Sequence, residues 1–115
     1  MRLLNVTRGT VAATSLSVAE SRRERARGLL GRSRLEPGEG LLIPRCRQVH
    51  SIGMRFAIDV VFLDRHGIVL RACSLEPGRM SPIVIRGRDV VEMRAGVISS
   101  GGVNVGDMLR PEPTG

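Results

Sequence analysis

Turns recur along this sequence and leave only short apolar runs between them. The clearest turn lies at 64–67, where Asp64 can start a type I turn and Gly67 can adopt the left-handed backbone conformation. Apolar residues dominate on both sides of it, over residues 58–63 and 68–75. We therefore predict an antiparallel hairpin here, with strands of the length that is usual in small β-rich domains.

Other short apolar or alternating segments predict further strands. Residues 11–18 alternate between two faces and are expected to pair with residues 1–6 through a turn near Gly9. Turns also bracket four more candidate strands, at 41–43, 83–85, 90–93 and 108–110. Because the strands do not alternate with long helices, a doubly wound α/β sheet is disfavoured.

One segment has the signals of a helix. Ser21 and Glu24 match the capping box, in which the Ser side chain accepts a hydrogen bond from the third helical amide. Leu29 and Leu30 lie on an apolar face at helical spacing, and Gly31 is a typical C-terminal stop. We predict one principal helix from Ser21 to Leu30.

These elements together predict a mainly β (α+β) fold, a compact β-barrel-like domain of short strands with one principal helix. A chain of 115 residues can bury roughly two-thirds of its unfolded surface, so it does not need a disulfide or a structural metal. We expect a single domain over residues 1–110 and a frayed C-terminal tail at 111–115.

Several blocks of the sequence occur together, in this order, in one known family. They are RERARGLL at 23–30, HSIGMRFAIDVVFLD at 50–64, VEMRAG at 91–96 and VGD at 105–107. The chain thereby resembles domain-of-unknown-function family 192. Gly53 precedes Met54 where the commonest pattern has a Trp, so the chain is similar to the branch with a Cys-x-x-x-His-Ser-x-Gly-Met centre. The resemblance implies a compact, mainly β fold with a helix in the N-terminal third, and it implies no established activity.

The densest group of polar residues falls inside a segment, 46–59, that is otherwise mostly apolar. Polar groups in a core-forming segment need hydrogen-bonding partners, so they either satisfy one another or line a pocket. Gly53 is the expected bend that gathers them, because residues four apart in an extended strand are separated by about 13 Å. We predict a polar cluster around His50, Arg55 and Asp59. The predicted ligand-binding residues are His50, Ser51, Arg55, Asp59 and Arg25.

Two acids in apolar segments require partners if they are buried. The natural partner of Asp59 is Arg55 or Arg25, because a guanidinium group can meet a carboxylate with two bonds. Glu92, between two apolar residues, is interpreted in the same way. Both a structural ion pair and a ligand-binding pair are compatible with this pattern.

Cys46 and His50 also allow a catalytic interpretation, in which a base activates a thiol nucleophile. No oxyanion-hole signature or orienting acid is recognisable beside them, so we assign no catalytic residue. A zinc site that adds His66 and Cys73 has poor ligand spacing, and we predict no metal and no other cofactor. Both cysteines are expected to be free thiols.

The charge of the chain suggests a second kind of partner. The formal net charge is +7, and all eighteen basic residues are Arg. Weak, non-specific and salt-sensitive nucleic-acid contact is expected from arginines in and after the predicted helix. The residues concerned are Arg22, Arg23, Arg27, Arg32 and Arg34. No apolar segment is long enough to span a membrane and no signal peptide is recognisable, so we expect a cytoplasmic protein.

The leading hypothesis is a small non-enzymatic domain that binds a ligand or partner through the polar cluster around His50, Arg55 and Asp59. A small enzyme that acts through the same cluster is the alternative. Weak electrostatic binding of nucleic acid is the second alternative, although the chain has few aromatic residues on which bases stack.

Overall fold

The computed structural model describes residues 1–114, which form eight strands and one short helix. The elements in chain order are β1 (Arg2–Asn5), β2 (Thr10–Ala13), β3 (Ser15–Val18), α1 (Arg22–Arg27), β4 (Glu39–Pro44), β5 (Ile58–Leu63), β6 (Val69–Leu75), β7 (Asp89–Arg94) and β8 (Leu109–Glu112). The predicted mainly β class with one helix near the N-terminal third is confirmed. None of the described residues forms a helix long and apolar enough to cross a membrane.

The strands lie in two sheets. A small sheet has the order β2-β1-β8, and a large sheet has the order β3-β4-β7-β5-β6. All pairs are antiparallel except β3 with β4. In the described part of the chain the two sheets pack against each other and do not close into a barrel. The fold is therefore barrel-like only in that two sheets enclose a common core.

The core occupies both faces of the large sheet. All six residues of β5 are buried, which explains why its sequence is a continuous apolar run and not an alternating one. Val60 belongs to a cluster with Leu29, which follows α1, and this cluster is called the helix-side core. Val61 belongs to a cluster with Leu3 of β1, and this cluster is called the small-sheet core. Successive residues of β5 and β7 therefore face different cores.

The helix begins where the sequence predicts and ends earlier. The Ser21 side chain accepts a hydrogen bond from the Glu24 amide at 3.0 Å, as expected for the N-terminal cap. The predicted end near Leu30, with Gly31 as the stop, is wrong. Gly28 terminates α1 with a φ of 53°, and this turn directs Leu29 into the helix-side core.

The predicted central hairpin is confirmed by the antiparallel pairing of β5 with β6. Asp64 Oδ1 accepts hydrogen bonds from the amides of His66 and Ile68 at 2.8 and 3.0 Å, and these bonds hold the turn. The first predicted hairpin also forms, because β1 pairs with β2.

Two predicted strands are wrong. Residues 11–18 do not form one strand, because Thr14 separates β2 in the small sheet from β3 in the large sheet. The break allows β3 to pair in parallel with β4 in the large sheet. Residues 83–85 form no strand, and the side chains of Ile83 and Ile85 are 63% and 78% exposed.

The C-terminal strand extends into the predicted tail. Residues 111 and 112 belong to β8, where they pair with β1, and Arg2 donates a hydrogen bond to the Glu112 carboxylate. Residues 111 and 112 are therefore part of a strand and not of a frayed tail. Gly115, the last residue of the predicted tail, lies outside the described residues.

Candidate functional site

A cavity of about 290 Å³ lies between the end of α1 and the helix-side face of the large sheet. We call it the helix-side cavity. Its wall is formed by α1 and the three residues after it, by β4, by the segment 46–54 and by β7. The lining residues are Arg25, Ala26, Arg27, Gly28, Leu29, Leu30, Ile43, Cys46, Gln48, Val49, His50, Met54 and Glu92. The wall is mainly apolar, with polar groups at a few places.

Glu92 is the charged residue that the fold places deepest in this cavity. It is only 3% exposed, and it lies opposite Val60 in the pairing of β7 with β5. Its Oε1 atom is buried and has no hydrogen-bond partner. Burial raises the pKa of the Glu92 carboxyl to about 7, and a bond from the Leu29 amide opposes this effect. The carboxyl is thus in the range where it gains or loses a proton near neutral pH.

The backbone at the end of α1 passes directly over the Glu92 carboxyl. A Cβ atom built on Gly28 would lie 2.9 Å from Glu92 Oε1, which is too close for a side chain. The φ of Gly28 also lies in the left-handed region that favours glycine. Gly28 therefore permits the close approach of backbone and acid that forms one end of the cavity.

Cys46 lines the same cavity as an ordinary, protonated thiol. Burial raises its pKa, and the negative charge of Glu92 raises it further. The thiol lies 3.2 Å from the carbonyl oxygen of Gln48, to which it can donate a hydrogen bond. At neutral pH this cysteine is consequently a poor nucleophile, and the arrangement lacks the activation that covalent catalysis requires.

Two of the five predicted site residues reach this cavity. His50 and Arg25 both line it, and they come from segments that are distant in the chain. His50 is exposed and its Nδ1 accepts a hydrogen bond from the Ile52 amide at 3.3 Å. Arg25 is half-buried, and one of its guanidinium nitrogens lies 3.4 Å from the carbonyl oxygen of Glu20.

Ser51 and Arg55 have other positions. Ser51 is fully buried, and its Oγ accepts a hydrogen bond from the Arg79 amide at 2.9 Å while it donates to the carbonyl of Glu76. It therefore holds two loops together. Arg55 is exposed and does not line the helix-side cavity.

Asp59 lies on the opposite face of the large sheet, and its predicted pairing with an arginine is wrong. Its carboxylate accepts hydrogen bonds from the hydroxyl of Ser74 at 2.6 Å and from the amides of Gly96 and Ile98 at 3.0 and 2.9 Å. In strand β5, Asp59 shares a face with Val61, which packs in the small-sheet core. The predicted single cluster of His50, Arg55 and Asp59 is therefore not formed.

Sequence reasoning recognised Glu92 only as an acid that required a partner. The signal that marks it is a carboxylate in the otherwise apolar run of residues 90–93 in β7. Among residues 1–114, no group of three His, Cys, Asp or Glu side chains is arranged to hold a metal ion. Cys46 and Cys73 are both free and half-buried.

Comparisons with known proteins agree with this fold. The model of the family DUF192, described as an uncharacterized ACR, matches residues 4–111, which confirms the resemblance seen in the sequence blocks. A crystal structure of a protein of unknown function from Novosphingobium aromaticivorans has a TM-score of 0.74 and 19% identity, over 84% of this chain and 74% of that one. A Sinorhizobium meliloti protein described as a "putative transcription regulator" has a TM-score of 0.77 and 22% identity, over 95% and 89% of the two chains. No curated protein matches the chain.

Proposed function

The chain belongs to the DUF192 family, and we propose that it is a small-molecule-binding domain whose ligand occupies the helix-side cavity. The observation that carries this proposal is the Glu92 carboxyl, which is buried at the cavity with its Oε1 atom unpaired. The ligand class is a small, mainly apolar molecule with one head group that donates a hydrogen bond to this oxygen.

The unpaired oxygen supports binding because it destabilises the free protein. A buried acceptor without a donor costs roughly 1–3 kcal/mol, and proteins tolerate such costs mainly at sites that have another role. A carboxyl whose pKa is raised to about 7 in a cavity has the same association with functional sites. A ligand N–H or O–H group supplies the missing donor and relieves this cost.

The remaining wall supports an apolar body for the ligand. Leucine, isoleucine, valine and methionine residues line the cavity together with the acid, including Leu30, Val49 and Met54. The volume of about 290 Å³ is near the lower limit of ligand pockets, which hold roughly 300–1,000 Å³. Gln48 and His50 line the same cavity and offer polar contacts to the head group or to water.

Acid–base catalysis in the same cavity is the second candidate function. It is favoured by the pKa of Glu92, since a general acid or base works best when its pKa is near the operating pH. The protonated Cys46 thiol gives no support to a covalent mechanism. Chemical conversion of a bound compound, with loss of conversion in Glu92→Gln, separates this candidate from binding alone.

The test uses the full chain with methionine methyl groups labelled for NMR. The probes are butylamine, butanol and butanamide, which carry donors, and butyrate, which at neutral pH carries none. Donor probes are expected to shift the Met54 signal, because Met54 lines the cavity. Met93 is the internal control, because it packs in the small-sheet core on the other face.

Glu92→Met supplies the matched variant, because it removes the acceptor and keeps a side chain of similar length. It should abolish the shift of Met54 by the donor probes while the chain remains folded. Equal shifts from butyrate, or shifts from donor probes that persist in Glu92→Met, would contradict the proposed ligand class.

A further inference from the structure

A second cleft, separate from the helix-side cavity, is lined mainly by arginines. Three segments meet there: the chain after β4, the turn between β5 and β6, and the loop before β7. The lining residues are Arg45, Arg47, Asp64, Arg65, His66, Arg86, Gly87 and Arg88, and the cleft has a volume of about 850 Å³. It shares no residue with the helix-side cavity. We call it the arginine cleft.

Backbone hydrogen bonds hold these segments in place. The Cys46 amide donates to the carbonyl of Arg88 at 2.8 Å, and the Arg88 amide donates to the carbonyl of Leu63 at 2.8 Å. The Arg45 amide donates to Asp89 Oδ1 at 3.2 Å. The positions from which the arginine side chains project are therefore set by the fold.

The positive charge of the cleft is almost uncompensated. All five arginines are exposed, and among residues 1–114 none of their guanidinium groups forms an ion pair with a carboxylate. Asp64 is the acid in the lining, so five positive charges minus one negative charge leave four. Hydrogen bonds from the Ile68 and His66 amides lower the pKa of Asp64, and these bonds direct its carboxylate to the turn.

The backbone at Arg45 gives a further indication of a functional role. Its φ is 54°, and among residues 1–114 no other non-glycine residue has a positive φ. Such a conformation costs roughly 1–3 kcal/mol and occurs preferentially at binding and active sites. The strained residue is one of the five arginines of the cleft.

We infer that the arginine cleft binds a molecule with clustered phosphate groups. Guanidinium groups match phosphate oxygens with two parallel bonds, and five of them around one cleft exceed what a single phosphate can satisfy. The chain has no Trp or Tyr, Phe62 is buried in the core and Phe56 packs against the helix-side core. The cleft therefore offers guanidinium groups for phosphates and no Phe, Trp or Tyr ring on which bases stack. This site differs from the arginine group predicted near α1, where Arg32 and Arg34 pair with glutamates.

The test is titration calorimetry of the full chain with inorganic tripolyphosphate in 0.15 M salt. The variant Arg65→Gln/Arg88→Gln removes two cleft charges, and Arg22→Gln/Arg23→Gln removes the same charge from α1 as a matched control. The cleft variant should weaken binding about tenfold or more, because charge-assisted bonds are lost, while the control changes it less than about twofold. Thermal unfolding of each variant verifies that it is folded.

Two sources can supply clustered phosphates, namely a free polyphosphate compound or the backbone of a nucleic acid. A duplex DNA of random sequence is titrated in parallel to separate them. Binding of tripolyphosphate without binding of DNA indicates that the ligand is a free polyphosphate compound. Binding of both probes, with loss of DNA binding in the cleft variant, indicates that the ligand is a nucleic-acid backbone. Either result supports the inference. Absence of binding by both probes, or equal weakening in the α1 control, overturns it.

Discussion

The substitution Glu92→Gln tests the raised pKa of the buried acid through the pH dependence of folding. The pKa of Glu92 is about 7 in the folded chain against an ordinary value of 4.5, because burial disfavours the charged form. A raised pKa of this kind gives stability that is complete below pH 4.5 and is lost as pH rises through 7. This rise in the pKa of Glu92 corresponds to about 3 kcal/mol in the free energy of unfolding.

Glutamine has a similar shape and does not titrate, so the variant lacks this loss. Urea unfolding of both proteins from pH 5 to pH 8 should show the variant gaining about 2–3 kcal/mol relative to the parent chain. Arg25, Cys46 and His50 face the same cavity and are present in both proteins, so their contributions largely cancel in the difference. Parallel pH profiles would refute the reasoning, whatever the stability of the variant at a single pH.

Three further substitutions test other contacts. Asp59→Ala should lose about 3–5 kcal/mol in urea unfolding, because it removes three hydrogen bonds to a buried carboxylate; a loss below about 1 kcal/mol would contradict a structural role. Gly28→Ala should lower the melting temperature, because the added Cβ atom would lie 2.9 Å from Glu92 Oε1. Adding Glu92→Ala to this variant should restore part of the melting temperature, and no restoration would show that this contact is not the cause of the loss. The hydrogen bond from the Asn5 side chain is the largest of the effects that hold the pKa of Asp107 low. The stability that the Asp107 carboxylate gives to the fold is therefore lost as pH falls through this lowered pKa. Asp107→Asn should therefore flatten the acid unfolding profile below about pH 4, and an unchanged acid midpoint would oppose this account.

Local signals predicted the elements whose determinants lie close together in the chain. The turn at Asp64 and the cap at Ser21 depend on hydrogen bonds that span only a few residues, and both form as expected. The break at Thr14 could not be read locally, because the alternating pattern continues through it while the strand changes sheets. The prediction of a strand at 83–85 is wrong for a related reason: these residues have strand-like composition, but whether they pair with a strand depends on distant parts of the chain, and they pair with none.

The sequence also indicated which polar residues require an explanation, and it misassigned their partners. Asp59 was expected to meet an arginine, and it is satisfied by Ser74 and by backbone amides 37 and 39 residues away. Loop amides carry no signal in the sequence, because every residue except proline has one. Arg25 and His50, both named in the sequence analysis, line one cavity, and the acid that lines it with them is Glu92 and not Asp59.

What the sequence determined by itself was the class of fold: short strands, one capped helix and an aliphatic core, since turn chemistry and apolar patterning act over a few residues. Only the tertiary structure decided that Asp59 and Glu92 face opposite sides of the large sheet, and that Arg45, Arg65 and Arg88 meet at one cleft. Both outcomes depend on the register and order of strands distant in the chain. A shift of one residue in that register reverses the face of every side chain, so packing of the whole core sets it.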